Sequence, residues 1–179
     1  METGLTRIEW EEKLNTIGKH TTAKLCLIGS AACIFSGMRG RTSIDLDVWK
    51  PKSQFDLPTF RAAVESAGLE LNPTEEIVER PYIQIVEPGI CQTGDFSTTE
   101  GLMQTGSLEI TRPPIANIIA SKLVRASAKD LEDIAHLITS FNPMVEEVEK
   151  AINTMPARAK TAARENLVYL DVLLPSCDR

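Results

Sequence analysis

Apolar and polar residues follow two rhythms along the chain, one helical and one strand-like. Apolar residues at helical spacing in 5–19, with Thr6 placed to cap them, predict an amphipathic opening helix. The short apolar run 23–28 has the length of a buried strand, and the small residues after it favour a closely packed helix. Residues 44–49 (IDLDVW) alternate apolar and acidic side chains, which is typical of a strand with one wet face. The predicted apolar face of the opening helix consists of Leu5, Ile8, Leu14 and Ile17.

The rest of the chain has a mixed middle and a helical end. Residues 82–86 (YIQIV) predict a further strand, and the polar, turn-rich segment 90–101 predicts a surface loop. Beyond this loop the spacing of apolar residues is almost entirely helical. We therefore predict an α/β (α+β) fold, with a small mixed β-sheet and flanking helices in 1–112 and a helical C-terminal part in 113–179.

Composition and charge narrow the function classes. The chain of 179 residues is 42% hydrophobic and 25% charged, which is typical of a globular protein. Its net charge of −6 disfavours the coating of duplex nucleic acid, so we expect no extended duplex DNA binding. We expect no membrane association and a cytoplasmic location, since no stretch approaches the roughly 18 apolar residues of a membrane span. Four scattered cysteines and only two histidines make a zinc site improbable.

One constellation carries recognisable chemistry. Asp45 and Asp47 stand two residues apart, so they share one face of the predicted strand and repel each other unless a cation lies between them. A hard cation such as Mg²⁺ (or Mn²⁺) takes one or two protein carboxylates together with substrate phosphates. Gly29 lets backbone approach a phosphate, and Ser30 offers a hydroxyl and an amide. These residues predict a site for a nucleoside triphosphate and its metal ion.

Cationic side chains accompany these motifs at two places. Arg39 and Arg41 lie in a Gly- and Arg-rich loop before the acidic strand, where they add contacts to phosphate or to a nucleic acid acceptor. The second place is a predicted helical face that is compatible with phosphate, although salt bridges that solubilise an exposed helix explain it equally. This face carries Lys122, Arg125, Lys129 and Asp133.

The order of Gly-Ser followed by acid, hydrophobic residue and acid resembles the nucleotidyltransferase superfamily with the DNA-polymerase-beta-like minimal fold. Gly29, Ser30, Asp45 and Asp47 match that pattern directly. A second segment, 121–137 (SKLVRASAKDLEDIAHL), is similar to the Lys-rich KDLxDI helix of the abortive-infection and toxin–antitoxin branch. The resemblance covers about residues 5–140.

The resemblance implies roles for further residues. The arrangement RxTxDhDh recurs in that branch, and Arg41 and Thr42 resemble its first members, with the threonine one residue further from the acids. Lys122 would then face the triphosphate. The implied activity is Mg²⁺-dependent nucleotidyl transfer from an NTP to an RNA such as tRNA, or to a protein, in a bacterial toxin–antitoxin or phage-defence module with a cognate toxin or antitoxin. Residues near the acceptor or supporting the site would be Arg39, Arg125, Lys129, Asp130 and Asp133.

The chain departs from the pattern at one informative position. Many active members carry a third carboxylate on the next strand, where this chain has Gln84, and an amide is a weak ligand and no base. Glu87 substitutes only if the chain bends after that strand. An alternative is therefore a catalytically degenerate protein that binds a nucleotide or a partner. A third is a helical interaction protein with a dimer seam of Val148, Ile152, Leu167 and Leu170.

Overall fold

The computed structural model describes residues 4–74 and 79–173, and its architecture is mixed α/β (α+β), as predicted. The chain forms two compact units, with a boundary after Arg112. The segment between β-strands that was predicted as a loop of the α/β core belongs largely to the helical unit. The first unit consists of Met1–Pro88 and Thr99–Arg112, and the second of Gly89–Thr98 and Pro113–Arg179.

Over its described residues, the first unit begins with alternating helices and strands and ends with four consecutive strands, with a short 3₁₀ turn at Lys50–Lys52. None of the helices in the described part of the chain is long and apolar enough to cross a bilayer. The elements of the first unit are α1 (Arg7–Gly18), β1 (Ala23–Cys26), α2 (Gly29–Phe35), β2 (Asp45–Trp49), α3 (Leu57–Ser66), β3 (Glu70–Leu71), β4 (Tyr82–Val86), β5 (Glu100–Thr105) and β6 (Leu108–Arg112).

The opening helix forms where the sequence predicts it. The Thr6 side chain accepts from the Glu9 amide while the Glu9 carboxylate accepts from Thr6, a complete capping box. Trp10, Leu14 and Ile17 are buried in the core, but Ile8 is 70% exposed. The predicted apolar face is therefore wrong at Ile8, because the spacing of 4 and 3 from Trp10 onward sets the buried side of α1.

The strands form two small sheets instead of the single mixed sheet that was predicted. In one, β6 pairs in parallel with β1 and antiparallel with β5. In the other, β4 lies between β2 and β3, and all three strands are parallel. An isolated bridge between Leu27 and Val48 joins the two sheets. The end of β1 therefore lies beside β2, which brings the Gly-Ser turn next to the acidic strand.

Alternation along β2 has the predicted consequence. Leu46 and Val48 are fully buried, while Asp45 and Asp47 are half-buried on the opposite face. Apolar burial on one side holds the strand in place, so the orientation of both carboxylates follows from the period of two.

The second unit is helical, as predicted, and three of the four residues of the suggested dimer seam close its own core, while Leu167 is half-buried. Val148, Ile152 and Leu170 are at most 2% exposed, so the apolar stripe is used within the unit. Beyond α5 and up to residue 173 the chain forms three helices, and the break between the last two lies at Asn166. The elements are α4 (Ile115–Leu123), α5 (Ala128–Phe141), α6 (Val145–Asn153), α7 (Ala157–Glu165) and α8 (Val168–Leu173).

The predicted continuous helix across 121–137 is interrupted. Helix α4 ends at Leu123, Ala126 has a left-handed φ of +48°, and α5 starts anew after Ser127. Ser127 and Asp130 form a capping box, so this serine caps a new helix and does not continue the old one. The basic residues on either side of the break consequently do not share one helical face.

Segment Gly89–Thr98 is tied to the helices of the second unit by polar contacts. The Asn117 amide donates to the backbone oxygens of Thr93 and Asp95, at 2.9 and 3.1 Å. The Asp95 amide donates to the Thr154 hydroxyl at 2.7 Å. The bond to the Thr93 oxygen is buried, so it satisfies a backbone group that a mobile surface loop would leave to water.

Candidate functional site

The two aspartates lie on one face of β2, and β4 completes that face. In the parallel register Asp45 is opposite Tyr82, and Asp47 is opposite Gln84. Residues paired in this way point to the same side of a sheet, so two carboxylates, a phenol and an amide share one half-buried surface. The structure thereby places the predicted acidic pair together.

Gly29 brings the Gly-Ser turn against this surface. The backbone amide of Ile28 donates to the Asp47 carbonyl at 3.0 Å. Gly29 has a left-handed φ of +62°, and a Cβ built there would lie 2.8 Å from Oδ2 of Asp47. The absence of a side chain is therefore what lets the Asp47 carboxylate lie directly on the turn. Backbone of the turn and the carboxylate can thus approach one ligand together.

Ser43 orients the other carboxylate, and the sequence interpretation missed it. Its hydroxyl donates to Oδ1 of Asp45 at 2.6 Å, and the residue itself is only 8% exposed. The Ser43 backbone also exchanges hydrogen bonds with Leu5, which fixes the serine from behind. Hydrogen bonds of this kind hold a ligating carboxylate in one orientation. The only sign of this role in the sequence is that a serine stands two residues before Asp45.

The loop before β2 supplies a positively charged side chain, Arg41. Nη2 of Arg41 lies 3.5 Å from the Ser30 hydroxyl, so these two predicted residues lie near each other. Arg41 and Thr42 are half-buried, whereas Arg39 is exposed. A guanidinium beside a serine hydroxyl is a suitable pair of donors for a phosphate.

Gln84 occupies the place on β4 where many members of the resembled superfamily carry a third carboxylate. Gln84 lies in register with Asp47, and its amide donates to the Ile85 backbone oxygen at 3.4 Å. Glu87 follows the end of β4 and is exposed. Burial raises the pKa of the Tyr82 phenol, and the negative charges of Asp45 and Asp47 raise it further. Tyr82 is a neighbour of both carboxylates that the sequence interpretation also missed.

The donor set fits a hard divalent cation. Within the described residues no group of three or more His, Cys, Asp and Glu side chains is arranged to hold a metal ion. Asp45 and Asp47 offer carboxylate oxygens on one surface, beside a turn that a ligand can approach. Mg²⁺ is commonly held by one or two carboxylates, with waters and substrate phosphates as its other ligands. Two carboxylates therefore suffice for this chemistry.

The remaining predicted residues form an ion network inside the second unit. Nζ of Lys122, which is 6% exposed, donates to Asp133 at 2.5 Å and lies 3.6 Å from Asp130. Arg125 makes two bonds to Asp130, at 2.7 and 2.9 Å. Burial opposes ionisation of Asp130, but bonds from Arg125 and Ser127 and the Lys122 charge outweigh it and lower its pKa to about 2.

This network changes the interpretation of the basic residues. The Lys122 ammonium group forms ion pairs with two aspartates of its own unit. Lys129 is exposed. A role of Lys122 in binding phosphate stays a prediction. Within the second unit, its ammonium group forms buried ion pairs that belong to the core.

In comparisons with known proteins, no family model, curated protein or solved structure matches the chain significantly.

Proposed function

We propose that the first unit binds a nucleoside triphosphate with Mg²⁺ (or Mn²⁺) and transfers its nucleotidyl group to an RNA or protein acceptor. The observation that carries the proposal is the contact of Asp47 with the Gly29 turn on the face it shares with Asp45. Carboxylates for a hard cation and backbone for a phosphate lie side by side there. Such an activity belongs in the cytoplasm, where these nucleotides are available.

Each group has a separate task in this proposal. Asp45 and Asp47 hold the cation, which would neutralise charge on the phosphates when it is bound. Ser30 and Arg41 donate to phosphate oxygens and orient the nucleotide. An acceptor hydroxyl forms a bond to the α-phosphorus and loses its proton to water, the bond from that phosphorus to the α,β-bridging oxygen breaks, and pyrophosphate departs. Gln84 cannot take the acceptor's proton, so we expect slow transfer.

Transfer of labelled α-phosphate tests the proposal. Wild-type protein is incubated with each labelled NTP, with Mg²⁺ and with total tRNA or its own protein as acceptor, and Asp47→Asn is assayed in parallel. Asp47→Asn keeps the shape of the side chain but removes its charge, so labelling should fall by at least about tenfold. Glu65→Gln is the matched control, because it removes an exposed carboxylate from α3 of the same unit. Equal labelling by wild type and Asp47→Asn contradicts the proposal.

Gln84 supports a second candidate, a nucleotide-binding module without transferase activity. It occupies the position in register with Asp47 where a third acid would serve as ligand and base. Titration calorimetry would then show NTP binding that needs Mg²⁺ and is lost in Asp45→Asn, without labelled product. Gln84→Asp separates the two candidates. Labelling that rises in this variant indicates an impaired transferase, whereas NTP binding with no labelling in either form supports the binding module.

The biological setting follows from the motif resemblance alone. A chain of this type would act in a bacterial toxin–antitoxin or phage-defence module, with a cognate toxin or antitoxin as partner. Induced expression in a bacterial host tests the toxin role, since growth arrest by wild type and normal growth with Asp47→Asn are then expected. Arrest by both proteins contradicts a toxic nucleotidyl transfer.

A further inference from the structure

An open cleft of about 470 Å³ lies between the first turn of α1 and the loop before β2. Three arginines line it, Arg7, Arg39 and Arg41, together with the apolar side chains of Ile8 and Met38. None of the described residues that line the cleft is acidic. A chain with a net charge of −6 therefore has a locally basic concave surface.

The arginines are placed differently in this cleft. The Arg7 guanidinium lies 5.9 Å from the centre of the Phe35 ring and 2.6 Å from the Glu11 carboxylate. This ion pair is exposed on both sides, so it contributes little, and a phosphate can replace Glu11. Arg39 is exposed at the loop tip. Arg7 is thus oriented by Glu11 and by its aromatic contact, while Arg39 reaches into solvent.

Ile8, an apolar residue of the cleft, does not pack into the core that α1 covers. Ile8 is 70% exposed, although it stands in the first turn of a helix whose other apolar residues are buried. Gly37 and Gly40, with φ of +97° and +73°, leave open space around the loop. An exposed isoleucine in a cleft that arginines also line fits a ligand with both a charged and a flat apolar part.

We propose that this cleft binds a single-stranded nucleic acid, with Arg7 and Arg39 on its phosphates and Ile8 against a base. Guanidinium forks match phosphate oxygens, and the apolar side chain accommodates the face of a base. The volume falls in the range of small-molecule sites, about 300 to 1,000 Å³, which suits a nucleotide unit and not a duplex. The inference rests on the proposed function, in which the bound strand would be the acceptor and Arg41 adjoins both sites.

Fluorescence anisotropy without NTP or divalent cation tests this inference separately from catalysis. The probe is an end-labelled single-stranded RNA of about twelve nucleotides, titrated at several salt concentrations. Arg39→Ala and Arg7→Ala should each weaken binding several-fold and reduce the slope of log affinity against log salt by about 0.7. Ile8→Ser should weaken binding with an unchanged slope. Arg158→Ala, an exposed arginine on α7, is the charge-matched control.

The outcomes separate the inference from the proposed function. RNA binding that survives Asp47→Asn but falls in Arg39→Ala supports the cleft, whatever the transfer assay shows. Equal affinities for wild type, Arg39→Ala and Arg158→Ala overturn the inference, even if Asp47→Asn abolishes transfer. Displacement of the RNA by poly-glutamate at equal charge concentration also overturns it, because the cleft would then recognise an acidic peptide.

Discussion

Gly29 is constrained twice, by its backbone and by its neighbour. Its φ of +62° disfavours any side chain, and an added Cβ would lie 2.8 Å from the Asp47 carboxylate. We expect Gly29→Ala to lower the free energy of unfolding by about 1 to 3 kcal/mol and to weaken Mg²⁺-dependent NTP binding. Denaturant unfolding and titration calorimetry measure the two effects.

Gly40→Ala is a matched control for this prediction. Gly40 has a similar φ of +73°, but nothing lies within 4 Å of an added Cβ. It therefore reports the backbone strain alone, and the excess effect at Gly29 reports the contact with Asp47. If both variants bind nucleotide like the wild type, the Gly29 turn is not part of the nucleotide site.

Tyr82 offers a direct signal for a cation at the carboxylates. Burial first, and then the charges of Asp45 and Asp47, raise its pKa above the ordinary value of 10.0. A bound cation would offset the two negative charges, so we expect the Tyr82 pKa to fall when Ca²⁺ is added. Calcium replaces Mg²⁺ as the hard cation here because it remains soluble at alkaline pH.

The titration follows the absorbance of tyrosinate against pH, with and without Ca²⁺. Tyr82→Phe leaves Tyr169 as the remaining tyrosine and identifies which transition belongs to Tyr82. Asp47→Asn should lower the pKa of Tyr82 by itself and reduce the response to Ca²⁺. A pKa of Tyr82 that is unaffected by Ca²⁺ in the wild type argues against a cation between Asp45 and Asp47.

Residues of the site were predictable where the strand period alone decides their direction. Asp45 and Asp47 share a face because side chains alternate, and Leu46 and Val48 must be buried. Tyr82 entered only through the register of β2 and β4, which depends on tertiary pairing. Ser43 makes its bond to Asp45 through a local bend that no periodicity reports.

Among the elements, the break between α4 and α5 changes how the basic residues are arranged. Lys122 and Asp133, which were predicted to share one helical face, form a buried pair at 6% and 0% exposure. We expect Asp133→Asn to cost about 3 to 5 kcal/mol of unfolding free energy, because the Lys122 charge would stay buried without its main counter-charge. Chemical denaturation measures this loss.

Lys129→Ala is the control for the buried pair, since Lys129 is exposed on α5 and should change stability by less than about 0.5 kcal/mol. The double variant Lys122→Met/Asp133→Leu removes both charges and should recover much of the stability. A double variant as unstable as Asp133→Asn would show that shape, and not charge, limits this core.

Elements with strong apolar periodicity were predictable, and those without it were not. Strands β2 and β4 follow their patterns closely, and helix α1 forms where it is predicted, although its buried face does not include Ile8. Strand β5 escaped prediction because none of its side chains is buried and their exposure does not alternate, so only its pairing with β6 defines it. The helix break at Ala126 was missed because serine and aspartate at positions 127 and 130 are also compatible with the interior of a longer helix. Only the structure shows that they form a capping box.

For the whole molecule, the global charge was a poor guide to local chemistry. A net charge of −6 disfavours duplex DNA, yet the cleft beside α1 is lined by three arginines. Many acids are accounted for elsewhere, for example Glu9 in a helix cap and Asp130 and Asp133 in ion pairs. Charge composition therefore constrains the average surface and leaves individual sites open.

The chain passes between its two units three times, after Pro88, Thr98 and Arg112. Neither unit is therefore a contiguous stretch of sequence, although the boundary after Arg112 invites such a division. A fragment ending at Arg112 would keep residues 89–98 but lose Asn117 and Thr154, which bind their backbone. Truncation at that point would therefore remove the side chains that hold the backbone of residues 93 and 95, although the sequence break there looks like a domain boundary.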